Sequence, residues 1–257
     1  MSDHVITALK ALGFRANADT LGALLAHAVR SRLGPIELCE QLVAVERRER
    51  DSRNLAARTR HATLGTIAPL DHFDWTFPTT IDRALYEQLL TLTFLARGEN
   101  VLLRGPSGVG KTTLAQNLGL AALRAGHSVR FTSLAGAMAD LLRQESTPAL
   151  ERRLKRYTTP TLLVLDEIGY LPCESKAGDL LYTIISRRHE KRATVLTTNL
   201  AYKHWGTVFP GTACVGALVD RFAQHCHTLD IEGDSWRKRV AQSRRAASSR
   251  KSATAEE

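Results

Sequence analysis

The sequence predicts an α/β fold in which a small all-helical domain precedes a parallel sheet that is covered by helices on both faces. Two features predict this arrangement. Apolar residues recur with helical spacing up to about residue 65, and from residue 100 short β-rich runs alternate with helical segments. Such alternation is typical of parallel sheets. At 257 residues the chain can form one sizeable core and a smaller additional domain.

The N-terminal domain is predicted to span residues 1–65 and to consist of helices. Asn17 or Asp19 can cap one helix, and Pro35 is suited to the first turn of the next. The apolar positions that set the helical spacing are Val5, Leu9, Leu12, Leu21, Leu24, Leu25, Val29, Ile36, Leu38, Leu42 and Val45.

The second domain is predicted to span residues 66–240. Residues 65–80 contain Gly65, Pro69 and Pro78, which indicate a linker, and a helix is expected from Ile81 to Arg97. Helices are also expected at 111–125 and 177–192, among five β-rich runs: NVLLR, SVRFTS, TLLVLD, ATVLTT and HTLDIEG. Residues 241–257 are too poor in apolar groups to offset the entropy of ordering, so a basic, disordered tail is expected.

The composition indicates a polyanionic partner. Lys and Arg number 35 against 26 Asp and Glu, which gives a net charge of +9. Nucleic acid is a better candidate than a membrane, because the sequence has no basic amphipathic anchor and no apolar run of bilayer length. The N-terminus does not resemble a signal peptide and the four cysteines are scattered. A cytoplasmic location is therefore expected.

A run of arginines follows the predicted start of the third helix. It has two interpretations. Mixed charges on a helix are commonly a solvated face with i,i+4 ion pairs, whereas guanidinium groups without any lysine favour contacts with phosphate. The sequence leaves both open. The candidate nucleic-acid contacts are Arg47, Arg48, Arg50, Arg53, Arg58 and Arg60.

A glycine-rich loop fits the pattern G-x-x-x-x-G-K-[ST] and lies between the run VLLR and a predicted helix. Backbone amides of such a loop face phosphate oxygens, Lys111 neutralises the β- and γ-phosphates of ATP, and the Thr112 hydroxyl ligates Mg²⁺. The predicted nucleotide ligands are Gly105, Pro106, Ser107, Gly108, Val109, Gly110, Lys111, Thr112 and Thr113.

Two acidic residues end the apolar run that begins at Leu162. Asp166 is predicted to hold the Mg²⁺ shell, and Glu167 to polarise the attacking water as general base. Asn199 ends the run ATVLTT at the same edge of the sheet, where it is expected to orient that water or contact the γ-phosphate. As a residue after a strand, Asn199 is also compatible with a simple turn.

The order of these motifs resembles that of the AAA+ ATPases, and more closely that of the IstB-type ATP-binding proteins of insertion sequences, which are relatives of the DnaC helicase loaders. The segments that carry the resemblance are GPSGVGKTTLAQNLG, LLVLDEIGYLP, LTTNLAYKHWGTVFPG, LVDRFAQHCHTLDIEGDSWRKR and the linker residues Phe73, Asp74 and Trp75. Glu167 to Pro172 is the most discriminating run. The match covers nearly the whole chain.

The resemblance implies a five-stranded AAA+ sheet and homo-oligomeric rings or helical assemblies. It implies ATP-dependent binding and bending of double-stranded DNA, which is passed to an IstA-like transposase. By motif position, Arg221 resembles an arginine finger that reaches the nucleotide of a neighbouring subunit, and Arg237 resembles a sensor 2 arginine. The chain departs from the wider AAA+ pattern because only 58 residues follow Asn199, too few for a full C-terminal lid domain.

Three other functions remain open from the sequence. A DnaC-like loader of a replicative helicase would use the same motifs with a different partner. A scaffold could bind nucleotide as an adhesive between subunits and scarcely hydrolyse it. A small-molecule kinase also uses a phosphate-binding loop, although the series Asp166, Glu167, Asn199 and Arg221 favours mechanical coupling.

Overall fold

The computed structural model describes residues 2–169, 175–210 and 213–242. The chain forms two compact units, Met1–Arg60 and a larger unit that begins at His61. Residues 170–172 of the discriminating run and residues 243–257 of the predicted tail lie outside the described residues. Ala241 and Gln242, which were assigned to that tail, are helical. Within the described residues, no helix has the length and hydrophobicity that crossing a bilayer requires.

The first unit consists of helices, as the spacing of its apolar residues predicts. Its helices are α1 (Ser2–Ala11), α2 (Ala18–Ser31) and α3, which runs from Pro35 to Ala62. Asn17 caps α2 by accepting a hydrogen bond from the Asp19 amide. The buried Glu46 carboxylate accepts hydrogen bonds from the amides of Arg15 and Ala16, at 2.7 and 3.0 Å, and so joins α3 to the turn between α1 and α2.

The second unit is built on a sheet in which six strands are described. These are β1 (Thr80–Ile81), β2 (Asn100–Arg104), β3 (Val129–Ser133), β4 (Leu162–Ile168), β5 (Ala193–Thr198) and β6 (Cys226–Glu232). Their order is β1-β6-β2-β5-β4-β3. The strands from β2 to β6 pair in parallel, which confirms the predicted α/β class. The sixth strand, β1, pairs antiparallel with β6 and was not predicted.

Helices cover this sheet. They are α4 (Arg83–Leu90), α5 (Thr93–Arg97), α6 (Lys111–Arg124), α7 (Leu134–Leu142), α8 (Thr147–Thr158), α9 (Ser175–Arg188), α10 (Trp205–Val208) and α11 (Val215–Ala223). Short 3₁₀ turns occur at Leu70–His72 and Tyr202–His204. Alternate side chains of each strand point to opposite faces, so Leu102 and Leu196 join a core with α7 to α11 while Leu103 and Val195 lie on the other face.

The single helix expected from Ile81 to Arg97 is wrong in detail. Ile81 belongs to β1, and the side chain of Asp82 caps α4 by accepting a hydrogen bond from the Leu85 amide. Leu92 adopts a left-handed conformation with φ of 63° and separates α4 from α5. Apolar periodicity continues across such a break, so the pattern alone does not reveal it.

Candidate nucleotide-binding site

The predicted phosphate loop joins β2 to α6 and is enclosed by two other segments. Gly108 and Gly110 have φ of 86° and 98°, a region that favours glycine. A Cβ at Gly108 would lie 2.2 Å from Ser235 Oγ, and one at Gly110 would lie 2.5 Å from Phe73 Cε2. Both glycines therefore allow a backbone conformation that side chains disfavour, and both allow neighbouring segments to approach closely.

The N-terminus of α6 offers hydrogen-bond donors to an anion. Gly110 is its N-cap and provides no side-chain acceptor, so the first-turn amides lack a side-chain cap. Lys111 Nζ donates to the carbonyl oxygens of Gly105 and Pro106, both at 2.7 Å. Burial lowers the pKa of Lys111 to about 8. Amides and a buried ammonium at a helix N-terminus fit a phosphate group.

The two predicted acids lie beside this loop but in different environments. Asp166 is buried, and its carboxylate oxygens accept from the Thr112 hydroxyl at 3.0 and 3.2 Å. Glu167 is exposed and has φ of 64°, and the β4–β5 register shifts between Leu165 and Ile168. The irregular backbone therefore places two successive carboxylates in different environments, one buried and one exposed. Thr112 and Asp166 form an oxygen-donor set that fits Mg²⁺.

Thr197 on β5 joins both acids, and it is not among the site residues that the sequence predicts. It is 1% exposed. Its hydroxyl accepts a hydrogen bond from the Glu167 amide at 2.9 Å and donates one to Asp166. The one signal for Thr197 in the sequence is its hydroxyl within an apolar strand close to Asn199. A buried hydroxyl needs hydrogen-bond partners, so such a position indicates a polar contact.

A cavity next to the loop has an aromatic wall. The Phe77 and Trp236 rings are 4.9 Å apart, and the Trp236 amide donates to the Gly108 carbonyl at 3.0 Å. The Arg239 guanidinium lies 5.2 Å from both ring centres and 3.9 Å from Asp74. The cavity is lined by Ala68, Pro69, His72, Phe73, Asp74, Phe77, Pro78, Gly108, Val109, Gly110, Lys111, Thr112, Thr113, Glu167, Thr197, Trp236 and Arg237.

The other predicted site residues differ in exposure and in whether they line this cavity. Pro106 and Ser107 are exposed, and Arg237 belongs to the cavity wall. Asn199 is exposed, with Oδ1 3.2 Å from the position of a Cβ on Gly169, just beyond β4. Arg221 is not part of the wall. Its Nη1 donates to Ser186 Oγ at 2.5 Å, and its guanidinium lies 5.0 Å from the Tyr182 ring centre.

The arginines of α3 have different environments in the first unit. Arg50 and Arg53 form i,i+4 ion pairs with Glu46 and Glu49, at 2.5 and 2.6 Å. Arg48 Nε donates to the Ala44 carbonyl. Arg47 and Arg60 are exposed and Arg58 is half-buried. Part of this run therefore forms the ion pairs of a solvated helix, and Arg50 also supports the buried Glu46.

The whole-chain pattern matches one protein family. The model of the IstB-like ATP binding protein family matches residues 7–246. The chain belongs to this family. A Pseudomonas aeruginosa relative named for insertion sequence IS21 and for ATP binding is 38% identical over 215 residues, or 84% of this chain and 81% of the relative. A Bacillus thuringiensis relative, named likewise for IS232, is 33% identical over 91% of this chain and 94% of its own length.

Solved structures confirm the fold class of this IstB-like protein. The crystal structure of DnaI matches with a TM-score of 0.53 and 18% identity, over 65% of this chain and 89% of DnaI. AMPPCP-bound DnaA from Aquifex aeolicus matches with a TM-score of 0.50 and 20% identity, over 64% of this chain and 52% of DnaA. At these identities the likeness concerns the fold, which is of the AAA+ type.

Proposed function

We propose that this IstB-like protein hydrolyses ATP with Mg²⁺, assembles on double-stranded DNA in its ATP-bound state and delivers that DNA to a transposase. The observation that carries the ATPase proposal is the meeting of Lys111, Thr112, Asp166 and Glu167 at the carboxyl edge of the sheet. Lys111, Thr112 and Glu167 line the same cavity, and Thr112 donates to Asp166 at 3.0 and 3.2 Å. The names of its relatives support a role in transposition.

The nucleotide-binding proposal rests on the donor groups of residues that line the cavity. The first-turn amides of α6 and the Lys111 ammonium would bind phosphates, and Thr112 with Asp166 would hold Mg²⁺, which supplies charge neutralisation at those phosphates when bound. Phe77 and Trp236, whose rings pack edge to face, offer apolar contact area to a purine base. Arg237 lies in the same wall, where its charge suits a phosphate in its own subunit.

Glu167 has the position of a general base. It is exposed to the cavity, whereas Asp166 beside it is buried and hydrogen-bonded. A carboxylate that faces solvent can accept a proton from an attacking water, and Asn199 beyond the neighbouring strand end can orient that water.

We expect Glu167→Gln to slow ATP turnover about 10²- to 10⁴-fold while ATP affinity stays within a few-fold, because the amide keeps the size but not the basicity. Phosphate release with and without duplex DNA measures turnover, and a fluorescent ATP analogue measures affinity. Glu145→Gln removes an exposed carboxylate outside the cavity wall and should leave both unchanged. Equal turnover of Glu167→Gln and the unmodified protein would exclude Glu167 as the base.

An oligomer would complete the site. Arg221 is held on α11 by Ser186 and Tyr182, and it does not line the cavity of its own subunit. A preorganised guanidinium that does not contact its own site suits a role across a subunit interface, where it would approach the γ-phosphate. Hydrolysis would remove that contact and loosen the assembly, so the nucleotide would time the release of DNA.

The second unit offers a basic face for DNA. Arg152, Lys155 and Arg156 follow i,i+3 and i,i+4 spacing on α8 and are exposed, while Leu154 and Tyr157 of the same helix are buried. We call these three cations the α8 basic face. On α3, the exposed residues Arg47 and Arg60 are the best candidates for phosphate contacts. Weak contacts of this kind would add along an assembly.

We expect replacement of the α8 basic face by three glutamines to weaken binding of a labelled duplex in ATP. Each lost phosphate contact should lower the slope of log K against log salt by about 0.9, so the slope should fall by about 2 to 3 per subunit. Fluorescence anisotropy titrations at salt concentrations between about 50 and 200 mM measure this slope.

The control for this experiment removes the same charge from arginines that are paired more closely than Arg156, whose Nη1 lies 4.0 Å from Asp140 Oδ2. Arg83, Arg97 and Arg187 each lie within 3.6 Å of a glutamate oxygen, and their replacement by glutamine should change the slope less. Arg47→Gln with Arg60→Gln tests α3 separately. An α8 variant that behaves like the paired-arginine control would remove α8 from the proposed interface.

A further inference from the structure

We propose that Thr197 is a positioning residue that sets the geometry of both acids in the ATPase site. This inference rests on the proposed ATPase function and assigns a role to a side chain that lies one strand away from the acids. Thr197 is on β5, and its hydroxyl is hydrogen-bonded to two successive residues of β4.

The Thr197 hydroxyl acts both as a hydrogen-bond acceptor and as a hydrogen-bond donor. The oxygen accepts from the Glu167 amide at 2.9 Å, and the proton is donated to Asp166 Oδ1. The residue is 1% exposed, and both hydrogen-bond partners of its hydroxyl belong to the protein. A buried hydroxyl with one donor and one acceptor partner fixes the relative position of those partners.

The backbone at Glu167 needs this support. Its φ of 64° is uncommon for a residue with a side chain, and the regular ladder between β4 and β5 is interrupted from Leu165 to Ile168. At the interruption, the Glu167 amide donates to a threonine side chain instead of a strand carbonyl. Thr197 thereby compensates for the missing ladder bond and holds Glu167 toward the cavity.

The second contact ties the same hydroxyl to the expected metal ligand. Asp166 Oδ1 accepts from both Thr112 and Thr197, and Asp166 Oδ2 accepts from Thr112. Two hydroxyl donors restrict the orientation of this carboxylate. Thr198 has a different pattern, since its hydroxyl joins the Ile168 carbonyl and the Leu200 amide. Thr197 is thus the residue of β5 whose side chain contacts both acids.

The test compares Thr197→Val, which keeps the shape and removes the hydroxyl, with Thr197→Ser, which keeps the hydroxyl. We expect Thr197→Val to lower kcat about 10- to 100-fold with KM for ATP changed less than about threefold, and Thr197→Ser to restore kcat. A loss that appears in KM alone, or a serine variant as slow as the valine variant, would overturn the proposal.

A readout that does not depend on turnover is amide exchange in the nucleotide-free protein. The Glu167 amide should exchange about 5- to 10-fold faster in Thr197→Val than in the unmodified protein or in Thr197→Ser, because one hydrogen bond is lost. Equal exchange in all three proteins would contradict the proposed contact. Should the unmodified protein fail to hydrolyse ATP, the ATPase proposal fails, but this comparison still tests Thr197.

A double variant separates positioning from a general loss of structure. In the Glu167→Gln background, Thr197→Val should slow single-turnover hydrolysis by less than it does in the unmodified background, because the part of its effect that acts through Glu167 is already absent and only the part that acts through Asp166 remains. A full additional 10- to 100-fold loss would show that Thr197 acts independently of Glu167. Binding of the fluorescent ATP analogue with Mg²⁺ verifies that each variant is folded.

Discussion

Lys111→Ala should lower the affinity for ATP about a hundredfold or more and thereby abolish ATP-dependent DNA binding. The buried ammonium lies within the loop, 2.7 Å from two loop carbonyls, and is the one cation of the loop. Charge-assisted contacts contribute about 1.5 to 3 kcal/mol each, and Lys111 can make more than one with phosphate oxygens. Titration with a fluorescent ATP analogue in the presence of Mg²⁺ measures the change.

A second measurement distinguishes lost binding from lost folding. Saturating ATP should raise the Tm of the unmodified protein and leave that of Lys111→Ala nearly unchanged, since stabilisation depends on ligand concentration over Kd. Lys191→Ala removes an exposed lysine outside the cavity wall and should respond to ATP normally. Unimpaired ATP binding by Lys111→Ala would contradict the assignment of the loop.

The same variant tests whether Arg221 acts between subunits. Arg221→Ala should bind ATP but hydrolyse it slowly, and Lys111→Ala should not bind ATP but still carry Arg221. In a mixture, an Arg221→Ala subunit can receive the missing guanidinium from a Lys111→Ala neighbour, so the mixture should hydrolyse ATP faster than either variant alone. If mixing restores nothing while the two variants co-assemble, an action in trans is excluded.

The sequence predicted those parts of the candidate site that consist of contiguous residues. The phosphate loop and the acids at 166 and 167 are contiguous motifs, and strand ends in a parallel sheet meet at one edge, so their proximity follows from the order of elements. The structure shows that edge with Thr112 and Asp166 in contact. The α/β class was predictable for the same reason, because each strand and helix has its own periodicity.

Contacts that join distant segments were not predictable. Thr197 meets Asp166 across 31 positions of sequence, and the Trp236 amide meets Gly108 across 128. No periodic pattern encodes such pairs. Likewise β1 has two residues, which is too short for an alternation to be recognised, and exists because β6 supplies its partner.

Arg188 illustrates this limit at the opposite end of the strands. It is 1% exposed at the end of α9, where the sequence shows only two adjacent arginines. Its Nε donates to Thr194 Oγ1 at 3.0 Å, and Nη1 donates to the carbonyls of Tyr157 and Pro160 at 3.0 and 2.8 Å. Nη2 donates to the carbonyls of Thr161 and Ala193. Burial lowers the pKa of this guanidinium. One side chain thus joins α9 to the segments that enter β4 and β5.

We expect Arg188→Met to destabilise the protein by about 3 to 5 kcal/mol. Methionine fills much of the volume but leaves several buried carbonyls without donors, and each unsatisfied group costs about 1 to 3 kcal/mol, partly relieved by relaxation. Because domains are stable by about 5 to 15 kcal/mol, the variant should lose a large part of its stability. In urea, with an m-value of about 2 kcal/mol/M, the midpoint should fall by about 2 M.

Arg187→Met is the matched control for this prediction, because the neighbouring arginine undergoes the same change of charge and size. Arg187 is 41% exposed and pairs with Glu151 at 2.7 and 2.8 Å. Exposed ion pairs contribute about 0 to 1 kcal/mol, so its midpoint should fall by less than about 0.5 M. Similar shifts in the two variants would mean that the loss of one positive charge matters and that the buried carbonyl contacts of Arg188 do not.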